Sequence, residues 1–170
     1  KLRNLKFTKS KNIVIDVAKM ILKHGFIGYY EGKSEFGDRA LGNRSILGDP
    51  RPLNIKDKIN SAIKYRESYR PFAPLTTTTD VSKFYEVKKN FSNPYMEKVV
   101  KTKKNYSKKL AAVTHFDNSA RVQTVDKNYP NKLFKILKEF EKLTGYPVLL
   151  NTSFNVSGEP IVLTPADAIN

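Results

Sequence analysis

Three arginines, Arg39, Arg44 and Arg51, stand in the stretch EFGDRALGNRSILGDPR (residues 35–51), beside Gly37, Gly42 and Gly48. Guanidinium presents a planar fork of donors suited to bidentate contact with phosphate or carboxylate, which the point charge of lysine cannot copy. Glycines permit positive φ and let backbone amides approach a ligand closely. Such a stretch suits phosphate binding. The competing reading is a tight turn with its arginines pinned to carboxylates, and Glu35, Asp38 and Asp49 are at hand for that. The contrast with the rest of the chain favours chemistry. Only seven of the 31 basic residues are arginine, and six of those fall in three short segments.

Three further segments carry more polar groups than a structural role requires. KYRESYRPFAP supplies Lys64, Arg66 and Arg70. Lys64 would sit near a helix end, where the dipole favours cations anyway, and Arg66 can pair with Glu67 or solvent. Arg70, beside the stiff PFAP run, is harder to explain that way. ARVQTV places Arg121 and Gln123 on one side of a strand, with Val122 and Val125 on the other side or at the core edge. LLNTSFNVSGEP reads as a buried strand that ends in Asn151, Thr152, Ser153 and Asn155 before a glycine turn. Ligands in open α/β sheets bind where such strand ends meet loops; a plain Asn/Ser turn is the alternative.

Taken together, these segments provide cationic donors, hydroxyls, amides and glycine-rich backbone, but no nucleophile beside a base. That inventory suits holding phosphates and stabilising charge that develops during phosphoryl or nucleotidyl displacement. His24 and His115 lack spaced partners and read as structural or surface residues, since a metal site needs three or four ligands. No metal site is expected. No GxxxxGK[ST] sequence is present, so a P-loop is excluded by pattern.

The elements that must position these groups follow from periodicity. Apolar residues at 13, 14, 17, 18, 21 and 22 predict a helix with Asn12 as N-cap and Gly25 as its stop. FIGYY (26–30) reads as a strand, followed by a glycine-rich loop. PLNIKDKINSAIKY reads as a helix opened by Pro52. RPFAPLTT, with two prolines, reads as extended or irregular. LAAVTHF (110–116) and RVQTV (121–125) read as strands. PNKLFKILKEFEKLTG reads as a helix with Pro130 in its first turn and Gly145 at its end. YPVLLN is a buried strand, IVL (161–163) a short one, and Thr164–Pro165 opens a last helix. Alternating helices and strands predict one α/β or α+β sheet domain without internal repeats.

The net charge is +15, which favours anionic partners. Residues 83–109 hold nine lysines against two glutamates. They read as an exposed excursion or hairpin, in which aromatics interleaved with lysines leave open a non-catalytic RNA- or nucleotide-binding module. A lysine-rich genome produces the same bias without function. No run approaches the ~20 apolar residues of a membrane span. The absence of cysteine rules out disulfides and fits a cytoplasmic protein. A start without methionine and an end inside a nascent helix predict a piece of a longer chain.

The segments EFGDRALGNRSILGDPR, KYRESYRPFAP, RVQTV and LLNTSFNVSGEPIVLTPADA, in that order, resemble the C-terminal domain of NodU-type O-carbamoyltransferases, enzymes of nodulation-factor and antibiotic biosynthesis. The resemblance implies a YrdC-like domain, a twisted open mixed sheet with flanking helices, that binds ATP and carbamoyl phosphate and forms carbamoyl adenylate. The carbamoyl group would pass to an acceptor hydroxyl in a preceding, actin-like domain that carries iron-binding histidines. By motif position it implies that Lys64, Arg70, Arg121 and Ser153 hold carbamoyl phosphate, with Lys64, Arg70 and Arg121 as the catalytic set. Arg39 would neutralise nucleotide phosphates, with Mg²⁺ assisting, and Asn151 would orient the carbamoyl group or nearby backbone. The family pattern has proline where this chain has Asp38, a carboxylate able to compete for Arg39. Nucleic acid and membrane are not among the implied partners.

Overall fold

The computed structural model describes residues 6–169. Helix α1 (Ile13–His24) begins where Asn12 accepts from the Ile15 amide at 3.3 Å and ends at Gly25, φ 86°. Both ends were marked in the sequence. Its buried stripe, Val17, Ala18 and Ile21, packs with α5 (Leu133–Thr144) over one face of a sheet. Pro130 precedes α5 by three residues; the cap comes from Asn131, whose side chain accepts from the Leu133 amide at 3.0 Å.

The sheet has five strands in the order β1 (Phe26–Tyr30), β2 (Arg44–Gly48), β7 (Val148–Ser153), β3 (Ala73–Thr77) and β6 (Gln123–Val125). All neighbours are antiparallel except β3 and β6, which run parallel. This is the expected open mixed sheet with flanking helices. Alternation assigns its two faces. Leu47, Leu75 and Leu149 join the α1/α5 core, while Ile46, Val148 and Leu150 join a second core with α2 (Leu53–Ile59). The second core also takes residues from α3 (Val81–Phe84) and from a 3₁₀ turn at Ala111–Val113. Two short strands, β4 (Val100–Lys101) and β5 (Ser119–Ala120), pair antiparallel beside it. Helices α4 (Lys104–Ser107) and α6 (Pro165–Ile169) complete the elements.

Six local expectations are corrected or sharpened. The glycine-rich loop after β1 contains β2, all five residues of which are buried. Its pattern is apolar only at Ile46 and Leu47, because Arg44 and Ser45 are buried through hydrogen bonds. The PFAPLTT run, expected to be extended or irregular, is extended and forms the interior strand β3. Pro74 is tolerated there because pairing with β6 begins one residue later, at Leu75. LAAVTHF is not a strand; it forms the 3₁₀ turn that packs on α2. IVL (161–163) forms no strand; its Val162 amide makes a single backbone bond, to the Phe154 carbonyl at 3.0 Å. The lysine-rich excursion is not wholly exposed: Phe84, Tyr85, Met96 and Thr102 are buried. Asn93 within it is buried, donating to the Val122 carbonyl at 2.8 Å and tying the segment to the start of β6. Val122 and Val125, expected on the face away from Arg121 or at the core edge, enter opposite cores.

Candidate functional site

The strand register gathers the predicted segments at one margin of the sheet. The end of β7 meets the starts of β2, β3 and β6, with Ser153 opposite Ser45, Asn151 opposite Ala73, and Gln123 opposite Leu75. Residues 35–43 arch over this margin. Glu35 shapes the arch, accepting from the amides of Leu41 and Asn43, both at 2.7 Å, and Arg44 at 3.2 Å. Gly42 closes the arch at φ 106°, against Leu133, with no room for a Cβ. None of these contacts has a signature in the sequence, because one carboxylate reads backbone groups rather than side chains.

A cavity of about 150 Å³ opens beneath the arch, lined among others by Asp38, Arg39, Arg66, Arg121, Asn151 and Ser153. It adjoins a larger one of about 490 Å³, also bordered by Asp38 and Ser153. A third, of about 510 Å³, lies past Glu35 between Phe36, Tyr95 and Tyr129.

The structure separates the arginines by role. Arg44 is buried. Its guanidinium donates to the carbonyls of Glu31 (2.9 Å), Asn43 (3.0 Å) and Gly32 (3.1 Å) and lies 3.5 Å over the Tyr30 ring. It braces the arch and is not free for a ligand. Arg51 is held bidentately by Asp49, with contacts of 2.9 and 2.7 Å. The pinned-turn reading is therefore right for Arg51. Arg39 is half exposed, and the nearest carboxylate, Asp38, is 3.8 Å away and 85% exposed. A pair so solvated holds Arg39 weakly. Arg121 lines the cavity without a carboxylate partner among the described residues.

Lys64 ends a π turn (Asn60–Lys64) that continues α2. It is 7% exposed, and its ammonium donates to the carbonyl and hydroxyl of Ser153 (2.7 and 3.1 Å) and to the carbonyl and side-chain oxygen of Asn155 (3.0 and 2.6 Å). Arg70 does not line the cavity. It is exposed, 3.7 Å from Glu67. Arg66, which the sequence left to Glu67 or solvent, does line it. Its Nε donates to the buried Asn60 at 2.8 Å, and the guanidinium lies 4.7 Å over the Phe72 ring. Asn151 is 1% exposed and donates to the Ala40 carbonyl (3.0 Å) and to Gln123 (2.7 Å), while its Oδ1 has no partner. The Asn151–Gln123 pair and Arg66 were the site features that sequence reasoning missed. Gln123 in a strand otherwise apolar was the available signal. His24 and His115 are both exposed and far from being a ligand set; among the described residues no metal-holding cluster forms.

Electrostatics are on balance unfavourable to these cations, although Glu67 favours Arg66 and Asp38 favours Arg121. Burial lowers the Lys64 pKa to about 8, with Arg66 adding repulsion. Burial also lowers Arg66, aided by Arg70, and lowers Arg121, aided by Arg39. Partly desolvated like charges crowd one cavity, and the one acid among its lining residues faces solvent. An anion entering here relieves both penalties.

Comparison with known proteins identifies the family and the fold. Residues 18–170 match the family model described as Carbamoyltransferase C-terminus. The chain is 44% identical over 167 residues to nodulation protein NolO of Bradyrhizobium diazoefficiens, covering 98% of this chain and 30% of that protein. It is likewise 44% identical to nodulation protein NolNO of Sinorhizobium fredii, covering 98% of this chain and 25% of the relative. Nodulation protein U of Sinorhizobium fredii is 39% identical over 145 residues, 85% of this chain and 25% of the relative. The chain thus spans under a third of the length of these relatives. Full-length HypF, solved in a phosphate- and nucleotide-bound form, superimposes with a TM-score of 0.59 over 97% of this chain and 20% of HypF, at 15% identity. That likeness concerns the fold alone. With the family model matching nearly the whole chain, the protein belongs to the carbamoyltransferase C-terminal family.

Proposed function

We propose that this domain binds ATP and carbamoyl phosphate at the strand-end cavities and forms carbamoyl adenylate for transfer to an acceptor hydroxyl held elsewhere in a longer protein. The observation that carries the reading is the trio Arg39, Arg66 and Arg121 around one small cavity without a buried acid. Its volume suits an acyl phosphate, and the adjoining larger cavity leaves room for a nucleotide. The nucleotide in the HypF structure and the nodulation relatives support the same assignment.

In this proposal Arg121 and Arg66 grip the phosphate of carbamoyl phosphate, and Arg39, at the mouth, meets the nucleotide phosphates. Arg70 adds charge from behind Arg66. Ser153 lines the acyl end, Lys64 holds Ser153 from outside the cavity lining, and Asn151 orients the carbamoyl group through its free Oδ1. Hydrolysis of carbamoyl phosphate by water yields phosphate and carbamate. The carbamate oxygen then attacks the α-phosphorus of ATP, the bond to the β-phosphate breaks, and pyrophosphate leaves. The guanidinium groups supply preorganised positive charge where negative charge gathers, and removing one such donor costs about 10²–10³ in rate. Magnesium would neutralise charge between the phosphates, with Asp38 as the one carboxylate this cavity offers it.

Isotope exchange between pyrophosphate and ATP tests the proposal. Exchange that depends on carbamoyl phosphate is expected. No exchange, together with no ligand-induced rise in melting temperature, refutes it for this domain.

A further inference from the structure

The turn after β7 contains a side chain that touches two of the proposed site residues at once. The Asn155 Oδ1 accepts from the Lys64 ammonium at 2.6 Å and from the Ser153 hydroxyl at 2.6 Å. Its Nδ2 donates to the Glu159 carbonyl at 2.7 Å, four residues on. That bond leaves no freedom for the amide to turn over, since the opposite orientation would aim N–H groups at an ammonium. The Asn155 carbonyl also accepts from Lys64, at 3.0 Å. Lys64 therefore has two of its four acceptors on one residue. The Ser153 proton is committed to Asn155, so Ser153 meets a ligand only through its remaining lone pair.

We infer that Asn155 is the positioning residue of this site: its side-chain amide fixes the Lys64 ammonium at the end of β7 and sets the direction of the Ser153 hydroxyl. The inference rests on the reading of the neighbouring cavities as an acyl-phosphate and nucleotide site. Asn155 also borders the larger cavity, but it lies outside the lining of the small one and acts on it through Lys64 and Ser153. Its oxygen is the closest acceptor to a buried cation that has no carboxylate partner among the described residues. The charged neighbour acting on Lys64 is Arg66, from its own turn, and it repels. The groups facing Lys64 from β7 and from the following turn, Ser153 and Asn155, are neutral. The charge state of Lys64 therefore leans on neutral acceptors, the strongest of which belongs to Asn155.

The test follows the Lys64 ammonium and ligand binding together in the wild type, Asn155→Ala and the isosteric Asn155→Asp. The probes are carbamoyl phosphate binding by calorimetry from pH 6.5 to 9.5 and the NMR titration of the lysine side-chain carbons. Wild-type affinity is expected to fall as pH passes about 8, where Lys64 loses its proton. Asn155→Ala should move that midpoint down by about one pH unit and weaken binding about tenfold at pH 8. Asn155→Asp should move it up by about one unit, by adding an opposite charge. A purely structural role would lower the melting temperature and leave the midpoint in place. Unchanged midpoints in both folded variants overturn the inference while leaving the site reading intact. A wild type that binds neither carbamoyl phosphate nor ATP overturns both.

Discussion

Two regions of this molecule are rich in positive charge, and they are built in opposite ways. At and beside the strand-end cavity, Lys64, Arg66 and Arg121 are partly or fully buried, each is repelled by a neighbouring arginine, and their pKa values are lowered. In residues 83–109, lysines are numerous but solvated or satisfied. Lys83 pairs with Asp80 at 2.6 Å, Lys101 with Asp117 at 3.1 Å, and Lys103 donates to the Ser82 carbonyl at 2.6 Å. Lys88, Lys89, Lys98, Lys104, Lys108 and Lys109 line no part of the strand-end cavity. Charge number therefore says little about where an anion binds. What matters is cationic density that the protein leaves uncompensated and partly desolvated.

The largest expected effect separates site from scaffold. Arg121→Ala should abolish measurable stabilisation by carbamoyl phosphate, a loss of about 2–3 kcal/mol in binding, while the unliganded melting temperature stays within a few degrees. Arg44→Ala should do the reverse. It strips charge-assisted hydrogen bonds from three carbonyls and a stacking contact with Tyr30, costing about 2–4 kcal/mol of fold stability by chemical denaturation. If Arg44→Ala proves as stable as the wild type, the division of arginines into binding and bracing fails.

A subtler difference lies in pH. The folded state holds the Lys64 pKa at about 8, below its ordinary value of 10.5. The folded protein therefore binds fewer protons than the unfolded chain between those values. The penalty from Lys64 is complete below pH 8 and is relieved as pH rises toward 10.5. Anion binding runs the other way and weakens above pH 8. Lysines near Asp80 work with opposite sign. Lys83, Thr77 and Lys138 hold its carboxyl down to about 2 against the cost of burial, so its stabilisation is present above pH 4 and is lost as pH falls through 2. Melting curves from pH 2 to 10 in wild type and Asp80→Asn should resolve the acid limb. The smallest effect belongs to the exposed lysines. Lys89→Ala and Lys104→Ala should each change stability and ligand binding by less than about 0.5 kcal/mol.

Much of this organisation was legible in the sequence. Helices α1 and α5 were marked by apolar stripes and by Gly25 and Gly145, and β7 by its run of buried residues before Asn151. Strand β2 was not, because two of its five residues are Arg44 and Ser45, whose burial depends on hydrogen bonds that the sequence does not mark. Strand β3 was hidden by Pro74, which only its place ahead of the β6 pairing makes acceptable. The segments of the site were legible through clustered arginine in a lysine-rich chain. Which arginine faces the cavity was not. Arg66 and Arg70 have the same chemistry four residues apart, and only the left-handed turn at Tyr65 (φ 41°) and the grip of Asn60 turn one inward. Asp38, the residue most able to neutralise Arg39, proves exposed and distant enough to leave it available.

A calorimetric titration with carbamoyl phosphate at pH 7 tests the central claim most directly. It should be run on the wild type, on Arg121→Ala, and on a variant with Lys88, Lys89, Lys98 and Lys104 all changed to alanine. The account predicts one saturable site in the wild type, kept in the quadruple lysine variant and lost in Arg121→Ala. Binding that survives Arg121→Ala and disappears with the lysines would contradict it.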